Sequence, residues 1–161
     1  LPSVSPPTTH DHIDIGFRGG SCLRFNDPRR FGSIHFTTQP KLHRLLTKLG
    51  PEPLGKDFSA EYLIHVSQNR RVSIKNHLMN SQVIAGLGNI YATEALFRAG
   101  IHPARPAGRI SAERFSRLVQ VIREVLNEAI RSGGTTLKDF VGGDGRPGFF
   151  QQFCSPETET P

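Results

Sequence analysis

The sequence predicts an α+β chain in which a short β segment precedes a mainly helical domain. Apolar and polar residues alternate over residues 13–25, which is the period of a strand. Over residues 115–130 the apolar positions recur every three or four residues, which is the period of an amphipathic helix. The 161 residues suffice for one domain or two small ones, at ~100–200 residues per domain.

The charge balance favours a polyanionic partner, nucleic acid first and an acidic membrane surface second. Twenty Lys and Arg stand against fourteen Asp and Glu, which leaves a formal charge of +6. No apolar run approaches the ~18 residues that a membrane span needs, and no secretion signal is evident, so we expect a cytoplasmic protein. The two cysteines, Cys22 and Cys154, are too few for a disulfide framework or a four-ligand zinc site.

The β segment is predicted to hold a hairpin and one further strand. The turn of the hairpin falls at residues 18–21, and its alternating apolar residues are Ile13, Ile15, Phe17, Leu23 and Phe25. Ile34 and Phe36 predict another short strand. Two or three strands cannot make a stable sheet alone, so we interpret the segment as the tail of a larger β domain.

Five helices are predicted, over residues 41–49, 61–66, 74–85, 90–99 and 111–132. The clearest begins at a Ser111 cap and ends before Gly133 and Gly134. The loop over residues 50–55 is rich in Gly and Pro and makes a natural boundary. The predicted regions are therefore residues 1–50, 51–134 and 135–161.

The tight turn at residues 86–89 is the first candidate site. A helix that begins after two glycines presents backbone N–H groups and the positive end of its dipole to a phosphate. Asn89 is a candidate N-cap or phosphate ligand, and Lys75 and Arg70 add positive charge nearby in sequence. An ordinary helix–helix turn with a solvated charge run has the same pattern.

The second candidate is a tip in which Arg29, Arg30 and Phe31 stand between Pro28 and Gly32. Arginine can hydrogen-bond a base edge, and phenylalanine can wedge between stacked bases. A surface turn with Phe31 tucked into the core is the alternative.

Two other patterns are less specific. The glycine-rich segment after residue 133 suits either a loop that closes over a ligand or a plain connector. His10 and His12 lie near Asp11 and Asp14, but no further ligand cluster is near, so no metal site is predicted.

Five pieces in a fixed order resemble the formamidopyrimidine-DNA glycosylase family, bacterial base-excision enzymes that remove oxidised purines. They are HDHIDI, LRFNDPRRFG, LGPEPL, IKNHLMNSQVIAGLGNIYATEALFRAGIHP and GGTTLKDFVGGDGRPGFF. The resemblance implies the tail of an N-terminal β-sandwich followed by a mainly α-helical helix–two-turns–helix domain around residues 86–89.

The resemblance also implies roles for single residues. His10 matches a DNA contact, Arg29 the residue that faces the base opposite the lesion, and Phe31 the stacking residue. A further basic DNA contact matches Arg70, and the family's phosphate-binding lysine and asparagine match Lys75 and Asn89. A loop that covers the flipped base matches Thr135, Thr136, Lys138 and Gly145.

For the complete protein, the resemblance implies a bifunctional glycosylase and abasic-site lyase. It would excise 8-oxoguanine and formamidopyrimidines and cleave the abasic site by β/δ-elimination. The family nucleophile is an N-terminal proline followed by glutamate, whereas this chain opens Leu1-Pro2-Ser3. The family's four-cysteine zinc finger is not matched either. We therefore expect this chain alone to be inactive and without a cofactor, with zinc in the complete protein.

The implied partner is double-stranded DNA with oxidised bases, and no membrane is involved. The full-length protein is expected to be a monomer in the bacterial cytoplasm, associated with the nucleoid through DNA. Two alternatives remain. One is a non-catalytic helix–two-turns–helix DNA-binding fragment, and the other is an endonuclease VIII-like glycosylase for oxidised pyrimidines.

Overall fold

The computed structural model describes residues 6–134, which fall into two compact units divided between Pro40 and Lys41. The first unit holds strands β1 (Asp11–Gly16) and β2 (Cys22–Asn26). The second holds helices α1 (Ala60–Ser67), α2 (Ile74–Leu78), α3 (Asn89–Arg98) and α4 (Ala112–Arg131). One-turn 3-10 helices lie at Pro40–Leu42 and Ala107–Arg109. The predicted α+β class is confirmed.

The predicted hairpin is present in the first unit. β1 and β2 pair antiparallel, with Ile13 opposite Phe25 and Ile15 opposite Leu23. Their turn is closed by the Phe17 N–H, which donates to the Ser21 carbonyl at 2.9 Å. The apolar side chains of both strands remain partly or fully exposed, so this sheet by itself buries little surface.

Two elements predicted near the unit boundary are wrong. Residues 34–36 form no strand, and Phe36 is 94% exposed. Residues 41–49 form no α-helix beyond the one 3-10 turn; instead the His43 carbonyl accepts from Leu46 and Thr47 N–H groups at 2.8 and 3.1 Å. The reason is shared, because neither segment has an apolar face buried in its unit, and a short helix or lone strand is marginal without one.

The core of the second unit lies between α4 and the shorter helices. α4 packs against α1 and α3, and α2 packs against α3. Its inner face follows the predicted stripe, with two differences: Val121 is also buried, and Ile130 is 65% exposed. Ser111 caps the helix as predicted, since its Oγ accepts from the Arg114 N–H at 3.4 Å.

Helices α1 and α3 occupy the predicted places, but α2 ends after Leu78 rather than reaching residue 85. Asn80 explains the early end. Its side-chain Oδ1 accepts from the Gln82 N–H at 3.0 Å, and its carbonyl accepts from Val83 and Ile84 at 2.8 and 3.0 Å. Asparagine thus gives the backbone an alternative to the helical ladder and starts a turn.

An ion-pair cluster joins α3 to α4. Arg98 Nε donates to Oε1 of Glu94 at 2.6 Å, and its Nη1 donates to Oε2 of Glu128 at 2.7 Å. The Glu94 side chain is 7% exposed, against 46% for Glu128. Arg98 therefore neutralises a buried carboxylate on its own helix and holds that helix against the next.

Another arginine of α4 fixes the loop before α1. The Arg123 guanidinium donates to the carbonyls of Pro53, Gly55 and Phe58, the last at 2.7 Å. These three oxygens belong to a loop without regular structure, so the guanidinium supplies hydrogen bonds that no secondary-structure partner provides. Across residues 6–134, none of the helices combines the length and the apolar character of a membrane span.

Candidate nucleic-acid interface

The start of α2 fixes the position of Lys75. Ser73 caps the helix through its Oγ, which accepts from the Asn76 N–H at 3.4 Å. The N–H groups of Ile74 and Lys75 donate to the carbonyls of Arg105 and Pro103, at 2.8 and 3.2 Å. The backbone that carries the half-buried Lys75 is therefore held by the Ser73 cap and by the segment that contains Pro103 and Arg105.

The turn between α2 and α3 is anchored by one buried residue between two exposed glycines. Leu87 is 4% exposed, while Gly86 and Gly88 face open space, with no atom within 4 Å of a Cβ built on either. Gly86 has φ +77°, a left-handed conformation that glycine adopts without strain. A ligand can therefore approach the backbone of this turn closely.

Asn89 is the first helical residue of α3, so the first of its two candidate roles, the N-cap, is wrong. Gly88 occupies the cap and offers no side-chain acceptor. An asparagine at the N-cap has a non-helical backbone conformation, whereas Asn89 has a helical backbone and an exposed side chain. The first turn of α3 also contains no acidic residue. Backbone donors and the positive dipole end therefore lack the side-chain acceptors that usually satisfy helix starts.

Arg70 lies just before α2, with its backbone fixed on both sides. Its N–H donates to the Ser67 carbonyl at 3.1 Å, and its own carbonyl accepts from Gly108 at 2.9 Å. The exposed side chain lines a cavity of about 340 Å³ together with His77 of α2. Arg70, Lys75 and Asn89 thus all belong to the second unit, in or beside the two elements that the turn joins.

His77 was not singled out by its sequence pattern. It is 5% exposed, and its Nε2 has no hydrogen-bond partner among the described residues. Burial, followed by the positive charge of Arg70, lowers the pKa of His77 below its ordinary value. An isolated histidine on a short helix carries no signal of its burial, because α2 has too few residues to show a periodic face.

In the first unit, Asp27 organises the tip that carries Arg29 and Phe31. Its backbone N–H donates to the His10 carbonyl at 2.9 Å, and its own carbonyl is 3.0 Å from Nε2 of His12. Its carboxylate accepts from the N–H groups of Arg29 and Gly32, at 3.2 and 2.6 Å. The Asn-Asp-Pro sequence could have revealed this role, since aspartate commonly accepts from backbone N–H groups that follow it.

Phe31 extends from this tip and is 89% exposed, so the interpretation that tucks it into the core is wrong. Gly32 follows it at a close approach, because a Cβ there would lie 2.7 Å from Cζ of Phe25. His10, which is exposed, joins the tip through its carbonyl. The structure therefore brings His10, Arg29 and Phe31 into one local arrangement.

The acidic residues near His10 and His12 are engaged elsewhere. A backbone hydrogen bond from Thr8 and one from the Asn26 side chain lower the pKa of Asp11 to about 2. Asp14 accepts from Nε of Arg24 at 2.8 Å. Residues 6–134 contain no group of three or more His, Cys, Asp or Glu that would hold a metal. The loop residues Thr135, Thr136, Lys138 and Gly145 lie outside the described part of the chain.

The arrangement of short helix, glycine turn and uncapped helix matches a known family. The family described as "Formamidopyrimidine-DNA glycosylase H2TH domain" matches residues 49–141, more than half of the chain. The chain belongs to the formamidopyrimidine-DNA glycosylase family. Relatives of that name include proteins of Thioalkalivibrio sulfidiphilus and Alkalilimnicola ehrlichii. The Thioalkalivibrio protein is 57% identical to this chain, and the match covers 92% of this chain and 55% of that protein. The Alkalilimnicola protein is 55% identical, and the match covers 91% of this chain and 53% of that protein.

Solved glycosylases of this family share the fold. The Fpg protein of Thermus thermophilus has a TM-score of 0.81 and 39% identity, over 92% of this chain and 57% of its own. A Lactococcus lactis Fpg in complex with abasic-site DNA has a TM-score of 0.80 and 31% identity, over 93% and 55%. A mutant of the same enzyme with Fapy-dG DNA has a TM-score of 0.80 and 30% identity, over 93% and 55%. This chain spans about half the length of the curated relatives it matches.

Proposed function

We propose that this chain is the DNA-binding part of a glycosylase that excises oxidised purines and cleaves the resulting abasic site. The start of α3, next to the glycine turn, carries the proposal, because it offers backbone donors without a side-chain cap, and positive potential, at an open surface. Lys75 on the neighbouring helix adds a positive charge. In this role Lys75, Asn89 and Arg70 hold the phosphates of a kinked duplex.

The comparisons support damaged DNA as the partner. Solved relatives include complexes with DNA that contains an abasic site or Fapy-dG, an oxidised purine product. Among the alternatives, these complexes favour an oxidised purine over the pyrimidine lesions of an endonuclease VIII-like enzyme. A purely structural DNA-binding module would need no exposed aromatic tip.

The tip of the first unit suits the gap that opens when a nucleotide is flipped out of the duplex. Phe31 is exposed and apolar, and wedging between bases would bury it. Arg29 would face the orphaned base, with His10 as a further DNA contact. Asp27 would hold these residues in place through its backbone hydrogen bonds.

The finer assignments rest on the family. The β hairpin would be the tail of a β-sandwich, and the regions would be residues 1–50, 51–134 and 135–161, with the base-covering loop in the last. The complete protein would be a cytoplasmic monomer with a zinc finger. The two cysteines of this chain do not fit a four-cysteine zinc site, so no step of the function proposed here involves zinc.

Binding measurements on two variants test the assigned roles. The 161-residue chain is titrated with duplexes that carry an abasic analogue opposite each of the four bases, at several salt concentrations. Lys75→Ala should weaken binding to all four alike and lower the salt slope by about one counterion. Arg29→Ala should instead reduce the preference among opposing bases by roughly 1–3 kcal/mol and leave the salt slope nearly constant.

Matched controls are Lys56→Ala and Arg18→Ala, which remove the same charges from exposed positions of the same units. Both should bind nearly as the parent chain does. A change of base preference in Lys75→Ala, or a uniform loss in Arg29→Ala, would contradict the roles. Equal binding by all four variants would contradict the proposed interface itself.

A further inference from the structure

The cavity beside Arg70 lies between the end of α1, α2 and the turn that follows it. It has a volume of about 340 Å³ and is lined by Arg70, His77, Asn80, Gln82 and three valines. A single buried water occupies about 30 Å³, and ligand pockets begin near 300 Å³. The cavity is therefore large enough for a chemical group of a ligand.

His77 is the observation that points to such a ligand. The side chain is 5% exposed, lines the cavity and has an Nε2 without a hydrogen-bond partner among the described residues. Buried polar atoms in folded proteins nearly always have a partner, and each exception needs an explanation, of which a ligand is one. Nε2 has almost no accessible surface in the observed ring orientation, so a half-turn about the Cβ–Cγ bond, which exchanges the two edges of the ring, would be needed to bring a nitrogen to the cavity.

The charge of the lining selects an anion. Arg70 is the charged residue among those that line the cavity, and no carboxylate lies with it. Asn80 uses its Oδ1 to accept from the Gln82 N–H, which leaves its amide nitrogen as a donor. One guanidinium, one imidazole and carboxamide groups together offer donors to several oxygen atoms.

We propose that this cavity binds a phosphate group, with Arg70 as its charged ligand and His77 as a second hydrogen-bond donor. The proposal deepens the proposed function and rests on it, since the phosphate would come from the DNA backbone. Arginine pairs with phosphate through parallel hydrogen bonds, and the remaining oxygens then face the imidazole and the amides. His77 would thus be a DNA ligand beyond the residues that the family match indicated.

Protonation gives this site a signature. Neutral imidazole donates one hydrogen bond, while a bound anion favours the charged form and raises the pKa of His77. Arg70 opposes that charge when the site is empty, and it is the other titratable group in the lining. Affinity should therefore increase as the pH falls through the range in which His77 titrates.

The experiment follows the imidazole resonances of the 161-residue chain by NMR across pH, alone, with sulfate and with a short duplex. Sulfate serves as the free-anion probe because its charge is constant over the titration of histidine. Duplex affinity is measured in parallel for His77→Phe, which keeps a ring and removes the donors, and for His77→Gln, which restores one. His65→Phe is the matched control, since His65 is exposed on α1.

We expect the duplex to raise the pKa of His77, and His77→Phe to bind about tenfold more weakly without pH dependence. His77→Gln should recover part of the affinity but not its pH dependence, and His65→Phe should match the parent chain. Thermal unfolding verifies that each variant is folded. An unfolded His77→Phe variant leaves the resonance shift in the parent chain as the deciding measurement.

Other results overturn the inference in distinguishable ways. If the duplex binds but neither the His77 pKa nor the affinity of its variants changes, the cavity is not a phosphate site, and the function proposed for Lys75 stands. If sulfate shifts His77 but the parent chain binds no duplex, the site takes a free anion and the proposed function fails. If neither probe shifts His77, the proposal is wrong.

Discussion

The carboxylate of Asp27 accepts a hydrogen bond from the backbone N–H of Gly32 at 2.6 Å and so closes the tip between them. The same carboxylate accepts from the Arg29 N–H, and the Asp27 carbonyl accepts from the Arg30 N–H at 3.3 Å. Arg30 lies at φ +54°, a left-handed conformation that non-glycine residues rarely adopt. One aspartate thus shapes the whole tip.

Replacing this aspartate should loosen the tip without unfolding the chain. In Asp27→Ala we expect trypsin to cleave after Arg29 and Arg30 about fivefold faster, since a net hydrogen bond contributes about 1 kcal/mol. Cleavage sites and rates can be followed by mass spectrometry. Asp57→Ala, an exposed acid of the second unit, should leave those rates unchanged. Equal rates in both variants would show that the carboxylate does not order the tip.

A side-chain cap on α3 should improve stability at the expense of binding. Gly88→Ser adds an acceptor for the N–H groups of the first turn, and should raise the free energy of unfolding by a few tenths of a kcal/mol. The same hydroxyl competes with a phosphate for those groups, so duplex affinity should fall. A thermal melting curve measures the change in stability, and a DNA titration measures the change in duplex affinity.

Ser111→Gly supplies the reciprocal control at the start of α4, where Ser111 already caps the helix. That variant should lose a similar amount of stability and keep its duplex affinity. If Gly88→Ser binds DNA more tightly, the first turn of α3 does not contact phosphate.

The buried His77 should make the second unit sensitive to acid. Because desolvation, and then Arg70, hold its pKa below the ordinary value, the unfolded chain binds a proton at a pH where the folded chain does not. The free energy of unfolding should therefore decline as the pH falls below about 6.5, the ordinary histidine pKa. Denaturant unfolding at a series of pH values measures this. His77→Phe should flatten the decline, and an unchanged decline would assign it to other groups.

The ion-pair cluster of α3 and α4 should respond unequally to loss of its members. Arg98→Met leaves the buried Glu94 carboxylate without a partner, and should cost about 3 kcal/mol. Glu128→Gln removes a largely exposed partner and should cost less than about 1 kcal/mol. Urea unfolding of both variants tests the difference. Similar costs would mean that burial does not govern this cluster.

The sequence predicts best those elements whose ends carry their own chemical signals. Ser111 marks the start of α4, and the glycines after residue 131 mark its end. The early stop of α2 was missed because the acceptors of Asn80 had to be known before its competition with the helix was evident. Apolar spacing likewise misled at residues 34–36 and 41–49, since spacing does not reveal whether a partner surface exists.

The candidate site divides in the same way. Lys75, the glycine turn and the tip could be found because their chemistry is local in sequence. The DNA contact of His10 and the separate roles of Arg29 and Phe31 came from the family resemblance. His77 and Asp27 were missed as functional candidates. His77 is of interest only because of its burial among residues that the fold brings together. Asp27 bonds to its own backbone neighbours, so the local Asn-Asp-Pro sequence could have indicated its role.

The Arg123 guanidinium also bears on the order in which the second unit folds. Its hydrogen bonds reach carbonyls 65 to 70 positions earlier in the chain, and loop-closure entropy grows with such separations. The nascent chain acquires the donor only after all the helices before α4 have been synthesised. The hydrogen bonds from Arg123 to the loop over residues 53–58 should therefore form late in folding, after the helical nucleus has formed. Substitution of Arg123 would then accelerate unfolding and leave the refolding rate nearly unaltered.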